Sequence, residues 1–168
     1  MKDRMESGEP TRGPVEVRQA VEADMNALLT IEQQCFNVYY YDYYMLDRRD
    51  FEFYLQDTDS LFLVAVREAQ VVGDVLGPVD TWRNPPSAHI DSIAVLPQHQ
   101  HEGIGEHLLQ SFLGEVRRRG CARVTLEVAT ANGSGLAFFA RHGFRQTREL
   151  PDYYGKGLPA LLLAVEVR

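Results

Sequence analysis

The sequence is short of cysteine, of positive charge and of long apolar runs. Only Cys35 and Cys121 occur among its 168 residues. No stretch is long enough to cross a bilayer and no secretory leader is recognisable, so a reducing, cytoplasmic setting with unpaired thiols and no membrane partner is expected. Lys and Arg number 17 against 24 Asp and Glu, a net charge of −7. That balance argues against a nucleic-acid partner, whose phosphates require clustered cations, and favours a cationic or amine-bearing one. The one compact basic run, Arg117-Arg118-Arg119, reads as the last turn of a helix, where cations complement the dipole. His99 and His101 lack a Cys or carboxylate cluster to complete a ligand set, so no metal is expected.

What is present is ordinary globular material, 45% apolar and 24% charged. It is enough for one well-filled core. Residues 1–14 mix charge with Gly and Pro and read as a mobile tail; residues 15–168 read as one domain.

Val15-Glu16-Val17-Arg18 alternates as a half-buried strand, and Met25, Leu28, Leu29, Ile31 and Cys35 recur at helical spacing up to about Phe36. A second helix is expected near Arg49 to Gln56. Leu61 to Arg67 and Val71 to Val79 form a hairpin across Glu68-Ala69-Gln70, with Gly73, Gly77 and Pro78 making its second strand irregular. Further on come a strand over His89 to Leu96, a helix from Gly103 to Arg119, a strand over Arg123 to Val128, a helix from Ser134 to Arg141, and strands over Phe144 to Glu149 and Ala160 to Val167. Ile104, Leu108, Phe112 and Val116 make one apolar row on the long helix. This order predicts a mixed α/β fold, a twisted sheet of about seven strands with helices on both faces.

The most informative segment passes from strand to helix through Val95-Leu96-Pro97-Gln98-His99-Gln100-His101-Glu102-Gly103-Ile104-Gly105. Glycines 103 and 105 let main chain approach a ligand, and unpaired first-turn amides at the positive end of a helix suit a pyrophosphate. A Gly-x-Gly alone is a weak signal. Gln100 to Gly105 after Val-x-Pro on a strand resembles the acetyl-CoA motif of the GNAT superfamily of N-acetyltransferases. The likeness extends to the RimI-type ribosomal-protein-alanine enzymes through Ser92-Ile93-Ala94-Val95, Leu126-Glu127-Val128, Asn132, Ala137 to Phe144 and Asp152-Tyr153-Tyr154. It covers about Val15 to Val167.

The resemblance implies an acetyl-CoA-dependent acyltransferase. Strands His89–Leu96 and Arg123–Val128 would splay apart and hold pantetheine by strand addition through the main chain of Ile93, Ala94 and Val95. It also implies that Gln100, His101, Glu102, Gly103, Ile104, Gly105 and Glu106 form the phosphate turn, aided by Asn132, Phe139 and Arg141. Glu127 is the expected base, and Asp91 is its rival on the preceding strand. Phe139 stands where RimI-type enzymes carry the tyrosine acid. The proton for the leaving thiol then falls to Tyr153 or Tyr154, or to water, or the thiolate leaves unprotonated. The turn is also poorer in arginine than the commoner pattern of the superfamily, with His99, His101 and Glu102 in place of cations.

Tyr39, Tyr40, Tyr41 and Asp42, with Tyr153, are the expected acceptor wall; clustered tyrosines equally mark a dimer interface or a loop packed on the core. Deprotonating a lysine at pH 7.4 costs about 4 kcal/mol and an α-amine about 0.5 kcal/mol. A protein or peptide N-terminus is therefore the leading acceptor. A small amine such as a polyamine or aminoglycoside is the alternative, and a non-catalytic coenzyme A sensor is the reading from another class. A monomer or a homodimer is compatible with the sequence.

Overall fold

A computed structural model describes residues 13–36 and 44–167. Residues 1–12 and the expected acceptor residues Tyr39, Tyr40, Tyr41 and Asp42 lie outside the described residues. In chain order the elements are β1 (Val15–Gln19), α1 (Met25–Phe36), α2 (Arg48–Gln56), β2 (Ser60–Arg67), β3 (Gln70–Asp80), β4 (Ser87–His89), β5 (Ser92–Val95), α3 (Ile104–Arg118), β6 (Arg123–Ala129), α4 (Gly133–Arg141), β7 (Arg145–Leu150) and β8 (Ala160–Glu166).

Local chemistry sets several of these boundaries. Asp47 caps α2, accepting from Arg49 and Asp50 amides while the Asp50 carboxylate accepts from the Asp47 amide, a reciprocal arrangement that satisfies otherwise orphaned donors. Glu68 and Ala69 join β2 to β3 with φ of 49° and 63°; two positive φ values in a two-residue turn match the twist of the strands they connect. The basic run ends α3 as expected: Arg118 and Arg119 pair with Glu115, and Arg117 Nε donates to the Val167 carbonyl at 3.0 Å.

The strands form one mixed sheet in the order β1-β2-β3-β4-β6-β8-β7, with β5 also paired to β3. Only the β4–β6 pairing is parallel among the described strands. Alternation on β2 divides the core between the two faces of the sheet. Leu61, Leu63 and Ala65 join Val75, Ile104, Leu108, Phe112 and Val124 beneath α3. Phe62 and Val64 join Leu76, Met25, Leu28 and Phe51 beneath α1 and α2. Burial of a side chain such as Phe112, which is fully enclosed, contributes about 2–3 kcal/mol. Helices therefore cover both faces.

The strand expected over His89 to Leu96 is in fact two, which raises the count from about seven to eight. Successive amides choose opposite neighbours: Ile90 donates to the Thr125 carbonyl on β6 and Asp91 to the Leu76 carbonyl on β3, both at 2.9 Å. Ser92 also lies opposite Leu76, so Asp91 is the extra residue of a bulge. Gly77 makes room for this break, because a Cβ there would meet the His89 carbonyl oxygen at 1.9 Å. The chain forks at this point.

Candidate active site

Past the fork, β5 follows β3 while β6 runs beside β8, and a gap opens between β5 and β6. The Leu96 amide donates to the Val72 carbonyl, which fixes the antiparallel alternation on β5. Ala94 therefore pairs with Asp74, and the polar groups of Ile93 and Val95 face the gap. The Val95 carbonyl already accepts from Cys35 Sγ at 3.3 Å and Gln100 Nε2 at 2.9 Å. Ile93 and the Val95 amide are the main-chain groups this edge offers to an extended ligand.

At the end of β5 a 3-10 turn, Pro97–His99, leads into the candidate phosphate turn. His101 and Gly103 take positive φ of 61° and 80°. Gly103 is the N-cap of α3 and no side chain among the described residues caps its first turn, so the amides of Ile104, Gly105 and Glu106 point outward with the positive dipole end. A Cβ on Gly105 would lie nearest to Phe138 and Val95, at 3.6–3.8 Å. That glycine serves helix packing, and the positive φ of Gly103 serves the turn. Glu102 pairs with the guanidinium of Arg67 at the end of β2. Arg141 is exposed in the last turn of α4, and Arg145 is turned back onto the Ala140 and Phe144 carbonyls.

Directly at the fork lies a cluster of titratable groups. His89 Nε2 is 2.8 Å from Glu127 Oε2 and 3.7 Å from Asp91 Oδ1. The other ring nitrogen, Nδ1, is 2.7 Å from the Thr125 hydroxyl. The Tyr54 hydroxyl donates to Asp91. Both carboxylates proposed from sequence therefore meet, and a histidine joins them. Burial lowers the His89 pKa, but the hydrogen bond and charge of Glu127, with Asp91 and Asp80, outweigh it and leave the ring more basic than usual. Burial raises Asp91, against Tyr54 and His89. Tyr153 is pushed up to about 12, first by burial and then by the charge of Glu127. Its hydroxyl stays protonated at neutral pH.

The tyrosine pair divides. Tyr154 is 7% exposed, packs with Ala129 and Ala160, and donates to the Glu127 carbonyl at 3.4 Å. Tyr153 is 37% exposed and stacks on Tyr44, whose hydroxyl donates to the Tyr153 carbonyl at 2.6 Å. Asn132 is the N-cap of α4, accepting from Gly135 N at 3.0 Å and the Ser134 hydroxyl at 3.2 Å. Phe139 is buried against Phe138 and Phe144. Asn132, Phe139, Tyr44, Asp91, Ile93 and Glu127 share the lining of one cleft.

Sequence reasoning passed over His89, Tyr54 and Glu32. Period-two alternation on β4 and β6 offers a signal for His89, since Thr125 and Glu127 share a strand face. Tyr54 has none, because 37 residues separate it from Asp91. Glu32, 3% exposed on α1, lines the cleft and accepts from the Leu46 amide at 2.8 Å. Burial lifts it to about 7. Nearby Asp74 on β3 is 1% exposed, neither carboxylate oxygen has a partner among the described residues, and burial and Glu32 together raise it well above the usual range.

Residues 25–144 match the acetyltransferase (GNAT) family. An N-alpha-acetyltransferase of Sulfurisphaera tokodaii is 27% identical over 171 aligned residues, covering 95% of this chain and 98% of that protein. The crystal structure of the Escherichia coli ribosomal-protein-S18-alanine N-acetyltransferase superposes with a TM-score of 0.78 at 22% identity, over 92% of this chain and 94% of that one. The Salmonella typhimurium yncA protein, solved with its cofactor acetyl-CoA, superposes with a TM-score of 0.77 at 20% identity, over 93% and 95%.

Proposed function

The chain belongs to the acetyltransferase (GNAT) family and is an acetyl-CoA-dependent N-acetyltransferase; from that premise we propose that its acceptor is the α-amine of a protein or peptide N-terminus. The single observation that carries the reading is the Glu127–His89 contact at the mouth of the strand fork. It supplies a base suited to an α-amine, which needs only about 0.5 kcal/mol to lose its proton near neutral pH. The similarity to an N-alpha-acetyltransferase supports the same acceptor.

The residues fit acetyl-CoA on structural grounds. The uncapped first turn of α3 suits the diphosphate, and the gap edge of β5 suits the amide-bearing pantetheine arm. The coenzyme supplies an activated acetyl thioester. Glu127 takes the proton of the incoming ammonium, directly or through water, and His89 holds the carboxylate in place from Nε2 while Thr125 fixes the ring through Nδ1. Asp91, held by Tyr54, adds negative charge beside the ring. The Ile93 amide faces the gap where a thioester carbonyl would lie and can stabilise charge that develops there. Tyr153, carrying its proton beside Glu127, replaces the missing hydroxyl of Phe139 as donor to the leaving sulfur.

The test is mass spectrometry of peptide and small-amine panels incubated with labelled acetyl-CoA. Acetylated peptide N-termini are expected; exclusive labelling of polyamines or aminoglycosides would sink the acceptor assignment, and binding without turnover would support the sensor.

A further inference from the structure

We propose that Arg67 is the cation that meets the coenzyme diphosphate at the α3 turn, and that Glu102 holds its guanidinium until the coenzyme arrives. The inference rests on the coenzyme site described above. The segment Gln98-His99-Gln100-His101-Glu102 contains neither Lys nor Arg, so an anion arriving there has no fixed cation within the turn. Arg67 supplies one from β2. It is 9% exposed, one Nη pairs with Glu102, and its buried Nε has no hydrogen-bond partner among the described residues.

A guanidinium carries five donors in a planar fork suited to phosphate oxygens. Glu102 immediately precedes Gly103, the uncapped start of α3. Its carboxylate thus stands at the threshold of the site that would receive the diphosphate, where like charges repel. Arg67 offsets that charge in the free protein. On coenzyme binding the guanidinium exchanges the carboxylate for phosphate oxygens, and the first-turn amides of α3 complete the cradle.

Calorimetric titration of the full chain with coenzyme A, dephospho-coenzyme A and pantetheine tests this. Glu102→Gln should bind coenzyme A about tenfold more tightly, and Arg67→Met about tenfold more weakly, the scale of one charge-assisted contact. Dephospho-coenzyme A should reproduce both changes, and pantetheine, which lacks the diphosphate, should show neither. An Arg67→Met loss equal for all three ligands, or a Glu102→Gln protein with unchanged affinity, overturns the proposal. A change seen with coenzyme A and absent with dephospho-coenzyme A would move the contact to the 3′-phosphate and overturn it as well. Should Arg67→Met not fold, Glu102→Gln decides alone. A wild-type chain that binds no coenzyme A refutes the site itself, an outcome distinct from all of these.

Discussion

The two faces of the sheet are built from different chemistry. Beneath α3 lies the larger apolar cluster, from Leu61 and Val75 to Phe112, Phe139 and Val124, and the buried charge at its edge, Arg67, is paired with Glu102. Beneath α1 a smaller apolar cluster sits beside Glu32, Asp74 and the Cys35 thiol, which burial, with Asp74 and Glu32, pushes up to about 12. Apolar burial is indifferent to pH, whereas buried carboxyls tie stability to protonation. The α3 face therefore anchors the fold. The α1 face, which borders the cleft through Glu32 and Phe36, gives up stability near neutral pH.

The sharpest separation of fold from chemistry is at Glu127, which lies at the fork between these regions. Glu127→Gln should lower kcat/KM by about 10²–10⁴-fold, the usual worth of a positioned base, with little change in melting temperature; steady-state kinetics and calorimetry read both. On the apolar face, Phe112→Ala should destabilise by about 3–5 kcal/mol, and denaturant titrations should give the same loss at pH 5.5 and pH 8. A loss that varied with pH would break the contrast between the faces.

The α1 face should behave in the opposite way. Glu32 and Asp74 hold their protons more tightly folded than unfolded. Stability is then complete below the unfolded carboxyl pKa, near 4, and declines as pH rises toward the folded values. For Glu32, a rise from 4.5 to about 7 corresponds to a loss on the order of 3 kcal/mol. Asp74→Asn keeps the shape and cannot ionise, so at pH 8 it should melt several degrees above wild type, at about 2–4 °C per kcal/mol, and at pH 4 should lose that advantage. The smallest effects concern the proton pathway. Tyr153→Phe should slow turnover about 10²-fold, the lower end of what proton donation contributes. His89 keeps its extra proton above 6.5, the ordinary histidine value, and Glu127 loses its charged partner as pH rises past the raised pKa; kcat/KM should decline on that limb, and His89→Gln should abolish the decline.

Much of this was legible in the chain because it is local. Ile104, Leu108, Phe112 and Val116 repeat at helical spacing and are buried together. The passage from Val95 through Gly103 into α3 is a contiguous strand–turn–helix, and Glu127 sits on the strand where its motif placed it. Asn132 was readable both as a cap and as a coenzyme contact, and its capping bond to Gly135 is present. The hairpin turn was readable because only two residues separate Arg67 from Gln70.

Asp74 shows the opposite case, since a carboxylate inside an apolar strand carries no sign of whether its face meets solvent or α1. Likewise the Glu102–Arg67 pair joins positions 35 residues apart, and periodicity within either segment is blind to it. The expectation of one unbroken strand over His89 to Leu96 failed for a related reason: a bulge depends on which neighbour each amide finds, here Thr125 for Ile90 and Leu76 for Asp91.

By itself the sequence determined most of the order of helices and strands, the strand–turn–helix passage through Gly103 and the strand position of Glu127, because each follows from side-chain spacing along a short stretch. Tertiary structure alone decided the fork at Ile90 and Asp91, the meeting of His89 with Glu127, and the burial of Asp74. Those depend on register between distant strands, where a slip of one residue turns every side chain to the opposite face.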